Sequence, residues 1–182
     1  HLKPYLLCWL PILVGGHFAL AQNVVINEIM YHPSSELVQE EYVELFNAGP
    51  TNVTLDGWRI SGGIDFHFPP ATTINAGGYL VVAADTSAFN SKYPGVSPVV
   101  GPWQGILSNS RNSINLRNAQ DESIDTVTYA DEGDWATRKL GPSDAGQRGW
   151  IWDKPHDGMG KSLELMNPGM PNDHGQNWAS SI

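Results

Sequence analysis

Apolar and polar positions alternate along the chain in short runs, separated by polar breaks rich in glycine and proline. The clearest run, Ile64-Asp65-Phe66-His67-Phe68, puts Ile64, Phe66 and Phe68 on one face of an extended segment and Asp65 and His67 on the other. Val24 to Tyr31 and Glu41 to Phe46 read as two further strands, ended by His32-Pro33-Ser34-Ser35 and Asn47-Ala48-Gly49-Pro50. Val53 to Leu55 and Trp58 to Ser61 form a short third strand, broken near Asp56-Gly57, and Tyr79 to Ala84 is a continuous apolar run suited to a central strand. Ser113–Arg117 and Ile124–Tyr129 predict a hairpin across residues 118–122. Ser87 to Tyr93 predicts a helical turn, with caps offered by Asp85-Thr86-Ser87 and a stop at Pro94-Gly95. Pro94 to Gly105 reads as a loose connection and Ala130 to Gly160 as an irregular region rich in Gly, Asp and Trp. Ser162 to Met166 closes the series as a last short strand. Many short strands spaced by turn signals predict an all-β sandwich.

The first residues follow a different pattern. Lys3 precedes an apolar run from Tyr5 to Val14, then Gly15-Gly16, then the small residues of Ala19-Leu20-Ala21. This is the order of a secretory signal peptide, with cleavage expected after Ala21, and the run is too short to span a bilayer. Residues 1–21 are therefore expected to be a signal peptide and residues 22–182 one domain, with no membrane-spanning segment after cleavage. Cys8 is the only cysteine and lies in the removable part, so residues 22–182 carry no disulfide and depend on their own core. Roughly 160 residues can bury about two-thirds of the unfolded surface, enough for one stable domain.

The formal net charge is −9, and every Asp and Glu lies beyond Asn27. An acidic surface repels phosphate backbones, so no nucleic-acid partner is expected. Tryptophan is abundant: Trp58, Trp103, Trp135, Trp150, Trp152 and Trp178 all follow the leader.

Four segments in order carry a family resemblance: Asn27-Glu28-Ile29, Glu41-Tyr42-Val43-Glu44-Leu45-Phe46-Asn47, Leu55-Asp56-Gly57-Trp58 and Ala76-Gly77-Gly78-Tyr79. Together they resemble the lamin tail domain, best from Val24 to Tyr129 and in its secreted bacterial form. The resemblance implies an immunoglobulin-like β-sandwich, a non-catalytic role, and Glu28, Glu41 and Glu44 as parts of the fold's signature. The later segments from Ser162 to Ser181 also resemble bacterial members, in which a further Gly-Thr-Pro-Gly-like stretch commonly follows. Because the sequence starts at His1 and stops at Ile182, it is expected to be a fragment of a larger surface protein. Relatives sit beside spore-coat-type kinase, nuclease or phosphoesterase domains.

Catalytic motifs are wanting. Gly141-Pro142-Ser143-Asp144-Ala145-Gly146 misses a nucleophile elbow by one position. Gly160-Lys161-Ser162 lacks the earlier glycine of a phosphate loop, since Pro155 stands there with no N–H to offer. His32, His67, His156 and His174 show no ligand spacing and read as surface histidines.

Three sets of residues remain. Glu28, Glu41 and Glu44, on neighbouring strands, could hold a cation or act as an acid/base pair; the structural alternative is that Glu28 and Glu44 accept bonds from backbone N–H groups or Arg59. No cofactor is expected, with calcium the one candidate: Asp131 and Asp134 in Asp131-Glu132-Gly133-Asp134 come first, with Asp153 and Asp157 further on. Trp150 and Trp152, two apart, would share a face of an extended segment and could stack on sugar rings; covering the sandwich end is the plainer role. The expectation is a secreted, extracellular or periplasmic interaction and tethering module whose partner is a protein or polysaccharide at the cell surface. The alternatives are an accessory domain of an enzyme encoded beyond residue 182 and a carbohydrate-binding β-sandwich.

Overall fold

A computed structural model describes residues 24–182; the expected signal peptide and Cys8 lie outside the described residues. In chain order the strands are β1 (Val24–Met30), β2 (Tyr42–Asn47), β3 (Val53–Thr54), β4 (Arg59–Gly62), β5 (Ile64–His67), β6 (Thr73–Ile74) and β7 (Tyr79–Ala83). After helix α1 (Thr86–Lys92) come β8 (Val99–Val100), β9 (Gln104–Gly105), β10 (Arg111–Arg117) and β11 (Ser123–Ala130). The last four are β12 (Thr137–Asp144), β13 (Gln147–Asp153), β14 (Leu163–Leu165) and β15 (Trp178–Ser180).

Two sheets form the sandwich. A six-stranded sheet runs β15-β14-β1-β2-β7-β8, and a five-stranded sheet runs β11-β10-β4-β5-β9. Alternation decides which side chains meet between them. Val43, Leu45, Leu80 and Val82 point inward from the first sheet, and Ile60, Phe66, Ile114, Leu116 and Val127 from the second, all buried in one cluster. Each large aliphatic or aromatic side chain so buried contributes about 1.5–3 kcal/mol of transfer free energy. Trp58, at 3% exposure, belongs to this core. The segment expected as one broken strand is two: β3 pairs with β6 in a small separate sheet, while β4 joins the five-stranded sheet. Gly57 makes the break, because its positive φ of 74° favours glycine and an added Cβ would meet the Ala119 Cβ at 3.0 Å.

β1 changes face partway along. Its register against β2 shifts between Ile26 and Glu28, so Ile26 and Ile29 both reach the core while Glu28 and Met30 turn outward. At one end of that outer face α1 lays Phe89 against Met30, Tyr42, Val81 and Ala83. The Asp85 carboxylate caps the helix by accepting the N–H groups of Ser87 and Ala88 at 2.8 and 2.9 Å. Asn47, fully buried, ties two turns together: its amide donates to the carbonyls of Thr51, Ile74 and Asn75, and its side-chain oxygen accepts the Gly49 N–H.

The region from Ala130 to Gly160 is more regular than its composition suggests. β12 and β13 form a two-stranded antiparallel hairpin of their own, joined by Ala145 and Gly146 with φ of 48° and 81°. Two positive φ values mark the tight turn whose twist suits a hairpin.

Candidate interaction site

The acidic signature residues divide between two environments. Glu28 lies directly opposite Glu44 on β2 and Glu164 on β14, so three carboxylates run across the outer face of the six-stranded sheet. Their partners are side chains rather than backbone or Arg59. Tyr42 donates its hydroxyl to Glu28 at 2.5 Å, Ser162 donates a second short bond to the same oxygen, and the Asn27 amide donates to Glu44 at 3.0 Å. Arg59 sits on the other sheet and pairs with Asp121 at 2.7 Å. Burial, with the adjacent charges of Glu28 and Glu164, pushes Glu44 up to about 7 despite the Asn27 bond.

Glu41 does not join them. At 2% exposure, its carboxylate turns inward to accept the Leu107 N–H at 3.0 Å. Burial lifts its pKa to about 7, opposed by that hydrogen bond and by His32. Glu41 precedes β2 and is committed to the Leu107 N–H, so an acid/base arrangement of the three glutamates is not formed.

A polar cluster closes the end of the sandwich below β12 and β13. His156 was expected at the surface; it is 2% exposed, because its ring bridges Tyr31 and Trp135. Its Nε2 lies 2.8 Å from the Trp135 carbonyl and must donate to it, leaving Nδ1 to accept the Tyr31 hydroxyl at 2.7 Å. Burial holds this ring below the ordinary histidine pKa, which fits that neutral form. Next to it, Lys154 bonds Asp131 at 2.6 Å and Asp157 at 2.8 Å, while His32 bonds Asp157 at 2.5 Å. Burial raises Asp157, but Lys154 and His32 outweigh it and hold the carboxylate below its usual range.

Of the two first calcium candidates, Asp131 is therefore engaged by a lysine. Asp134 instead lines an open cleft of about 450 Å³, together with Trp135, Asp153, His156, Gln176 and Trp178. Among the described residues, no group of three or more His, Cys, Asp or Glu side chains is disposed to hold a metal ion.

The hairpin above the cleft is the part of the surface least explained by folding. Trp150 and Trp152 share one face of β13, with Arg138 and Leu140 across from them on β12. Trp150 is 60% exposed and Leu140 48% exposed, and Ile151 is 44% exposed on the opposite face. The Arg138 guanidinium stands 5.8 Å from the Trp150 ring and 5.5 Å from the Trp152 ring, within reach of a cation–π contact. Sequence reasoning singled out the tryptophans and missed Arg138. Pairing the spacing of Arg138 and Leu140 with that of Trp150 and Trp152 about a turn at Ala145-Gly146 would have found it.

Two sheets enclosing one core, with a two-stranded hairpin outside them, define an immunoglobulin-like β-sandwich. The family profile of the Lamin Tail Domain matches residues 19–131, well over half of the chain, and the chain belongs to that family. The matched part covers β1 to β11 and stops before β12, so the hairpin, like β14 and β15, lies outside it. No curated protein matches the chain. Among the described residues no helix is long and apolar enough to cross a membrane.

Proposed function

We propose that the chain is a secreted interaction module, which tethers a larger protein to the cell surface or within the periplasm and makes its contacts through the hairpin formed by β12 and β13. The observation that carries this reading is Trp150, 60% exposed on a two-stranded hairpin beside Arg138. A large indole left in water at that position forgoes burial free energy that the core could have taken, and aromatic and arginine side chains are the usual anchors of binding surfaces. The leader pattern at the N-terminus supports export, and the family frame supports a role in binding rather than turnover.

A second reading has a specific observation of its own. Two indoles on one face of β13 are placed as a stacking platform for a polysaccharide, with the open cleft at the hairpin's root offering carboxylates and an amide.

Co-sedimentation with cell-envelope material from the source organism, and separately with insoluble polysaccharides, tests both. The chain is expected to sediment with envelope material, and the paired variant Trp150→Ala, Trp152→Ala to lose about tenfold or more in affinity, as for anchors at other interfaces. Sedimentation with purified polysaccharide favours the second reading. Equal retention of parent and variant removes the hairpin from the site, and steady turnover of a phosphoester or glycoside by this chain contradicts a non-catalytic role.

A further inference from the structure

The two edges of the hairpin differ. β12 carries Pro142, and its register against β13 breaks between Leu140 and Ser143, so its outer edge is both short of a donor and kinked. Proline, bulges and lysine are the devices by which edge strands avoid further pairing. β13 has none of them. Gln147 to Asp153 runs without proline, with two residues of β12 bulged out opposite its Gly149, and among the described residues no third strand covers it. A two-stranded ribbon is marginal in water, and a third and fourth strand would change that.

The sequence of β13 is also compatible with itself. Read outward from Trp150 in an antiparallel copy, Trp150 faces Trp150, Ile151 faces Gly149, Trp152 faces Arg148 and Asp153 faces Gln147. No like charges oppose each other. Gly149 has open space above its α-carbon, so an opposing Ile151 side chain, itself 44% exposed, can lie over it. Arg148, whose Nε donates to the Gly141 carbonyl at 2.9 Å, stands opposite Trp152 in this register and brings no like charge against it. The hairpin carries three basic side chains (Arg138, Lys139, Arg148) against two acidic ones (Asp144, Asp153), whereas the whole chain stands at −9. It is thus a part of the surface where two acidic bodies can approach without strong repulsion.

We propose that two copies of the chain pair β13 with β13 antiparallel across a two-fold axis at Trp150, forming a four-stranded sheet with both tryptophan faces on one side. This deepens the reading of the hairpin as the contact arm: the module would present a doubled aromatic and arginine surface to its partner. The contact is isologous and closed, so it ends at two copies rather than growing into a fibre.

Sedimentation velocity on the full chain over a concentration series, combined with cysteine cross-linking in a Cys8→Ser background, tests the pairing. The parent is expected to sediment as a concentration-dependent dimer. Trp150→Asp and Trp150→Lys each put like charges face to face on the axis and are expected to weaken association about tenfold or more while leaving the far-ultraviolet spectrum of the sandwich unchanged. Trp150→Cys is expected to form a disulfide-linked dimer on mild oxidation, and Leu140→Cys, off the axis on β12, to do so far less. A parent that stays monomeric at every concentration overturns the proposal, as does a dimer indifferent to both charge variants or cross-linking that does not distinguish positions 140 and 150. A dimer that forms but does not bind envelope material would instead count against the tethering role alone, and a monomer that binds would count against the pairing alone.

Discussion

Asp125→Ala is expected to lower the unfolding free energy by about 3 kcal/mol, one of the two largest effects anticipated for a polar substitution in this protein. Asp125 on β11 reaches from the second sheet to the bulge of β1 in the first. Its carboxylate accepts the Ile26 N–H at 2.7 Å and the Asn172 amide at 2.6 Å, and its other oxygen accepts the Thr126 N–H at 2.8 Å. The bulge that turns Glu28 outward also leaves the Ile26 N–H facing this carboxylate, and Ile26 is fully buried. Removing the acceptor orphans a buried donor, which costs about 1–3 kcal/mol by itself, and loosens the segment around Asn172 as well. Asp125→Asn keeps one acceptor but sets its new N–H groups against donors, so a smaller loss of about 1–2 kcal/mol is expected. Chemical denaturation of the two variants checks this. A loss below about 0.5 kcal/mol for Asp125→Ala, as at an ordinary surface site, would show that the two sheets do not depend on the bond.

The second large effect concerns pH and Glu41. Its folded pKa of about 7 lies above the ordinary value of 4.5, so the fold binds a proton that the unfolded chain has released across that window. The contribution of the protonated carboxyl is fully present below about 4.5 and is lost as pH rises through 7. A displacement of this size corresponds to about 2–3 kcal/mol, allowing for partial solvent relaxation around the site. Glu41→Gln keeps an oxygen to accept the Leu107 N–H and removes the titration. The parent and Glu41→Gln are expected to have similar stabilities near pH 4.5, with the variant the more stable by that amount at pH 8. His32, whose charge favours the ionised carboxylate, lessens the difference toward the acid end of the range. Thermal midpoints of the pair from pH 4.5 to 8 check the sign. A difference that stays constant over that range would mean that Glu41 does not titrate within it.

The frame of the molecule was largely readable from the residue pattern. Strict alternation from Ile64 to Phe68 set the buried face of β5, the capping signal at Asp85 located α1, and the apolar periodicity of residues 113–129 located the β10–β11 hairpin. Each of these depends on neighbours within a few residues. The partners of the signature glutamates depend on distant ones: Ser162 reaches Glu28 from 134 residues away, and Arg59, the partner expected, belongs to the opposite sheet. The hairpin of β12 and β13 was hidden by Pro142 and the bulge beside it, which break the alternation. Its turn of Ala145 and Gly146 also lacks the usual Asn-Gly signal. His156 read as a surface residue because its company of aspartates and glycines gave no hint that Tyr31 and Trp135 would enclose it.

The contrast between frame and arm has a direct consequence. In the frame, buried carboxylates are tied into the sheets by hydrogen bonds, so the acidic signature serves the fold. In the arm, Trp150, Leu140 and Ile151 remain in water while Arg138 and Arg148 gather cationic charge on an acidic chain. Under the proposed function, stability and recognition fall to different residues.

The measurement that tests this division most directly replaces residues 138–152 with a short Gly-Ser turn and records cooperative unfolding and envelope binding on the same preparation. The account predicts an unfolding transition that stays cooperative, because the core strands β1 to β11, β14 and β15 are untouched, together with loss of envelope binding. Undiminished binding by a folded variant that lacks the hairpin would contradict it.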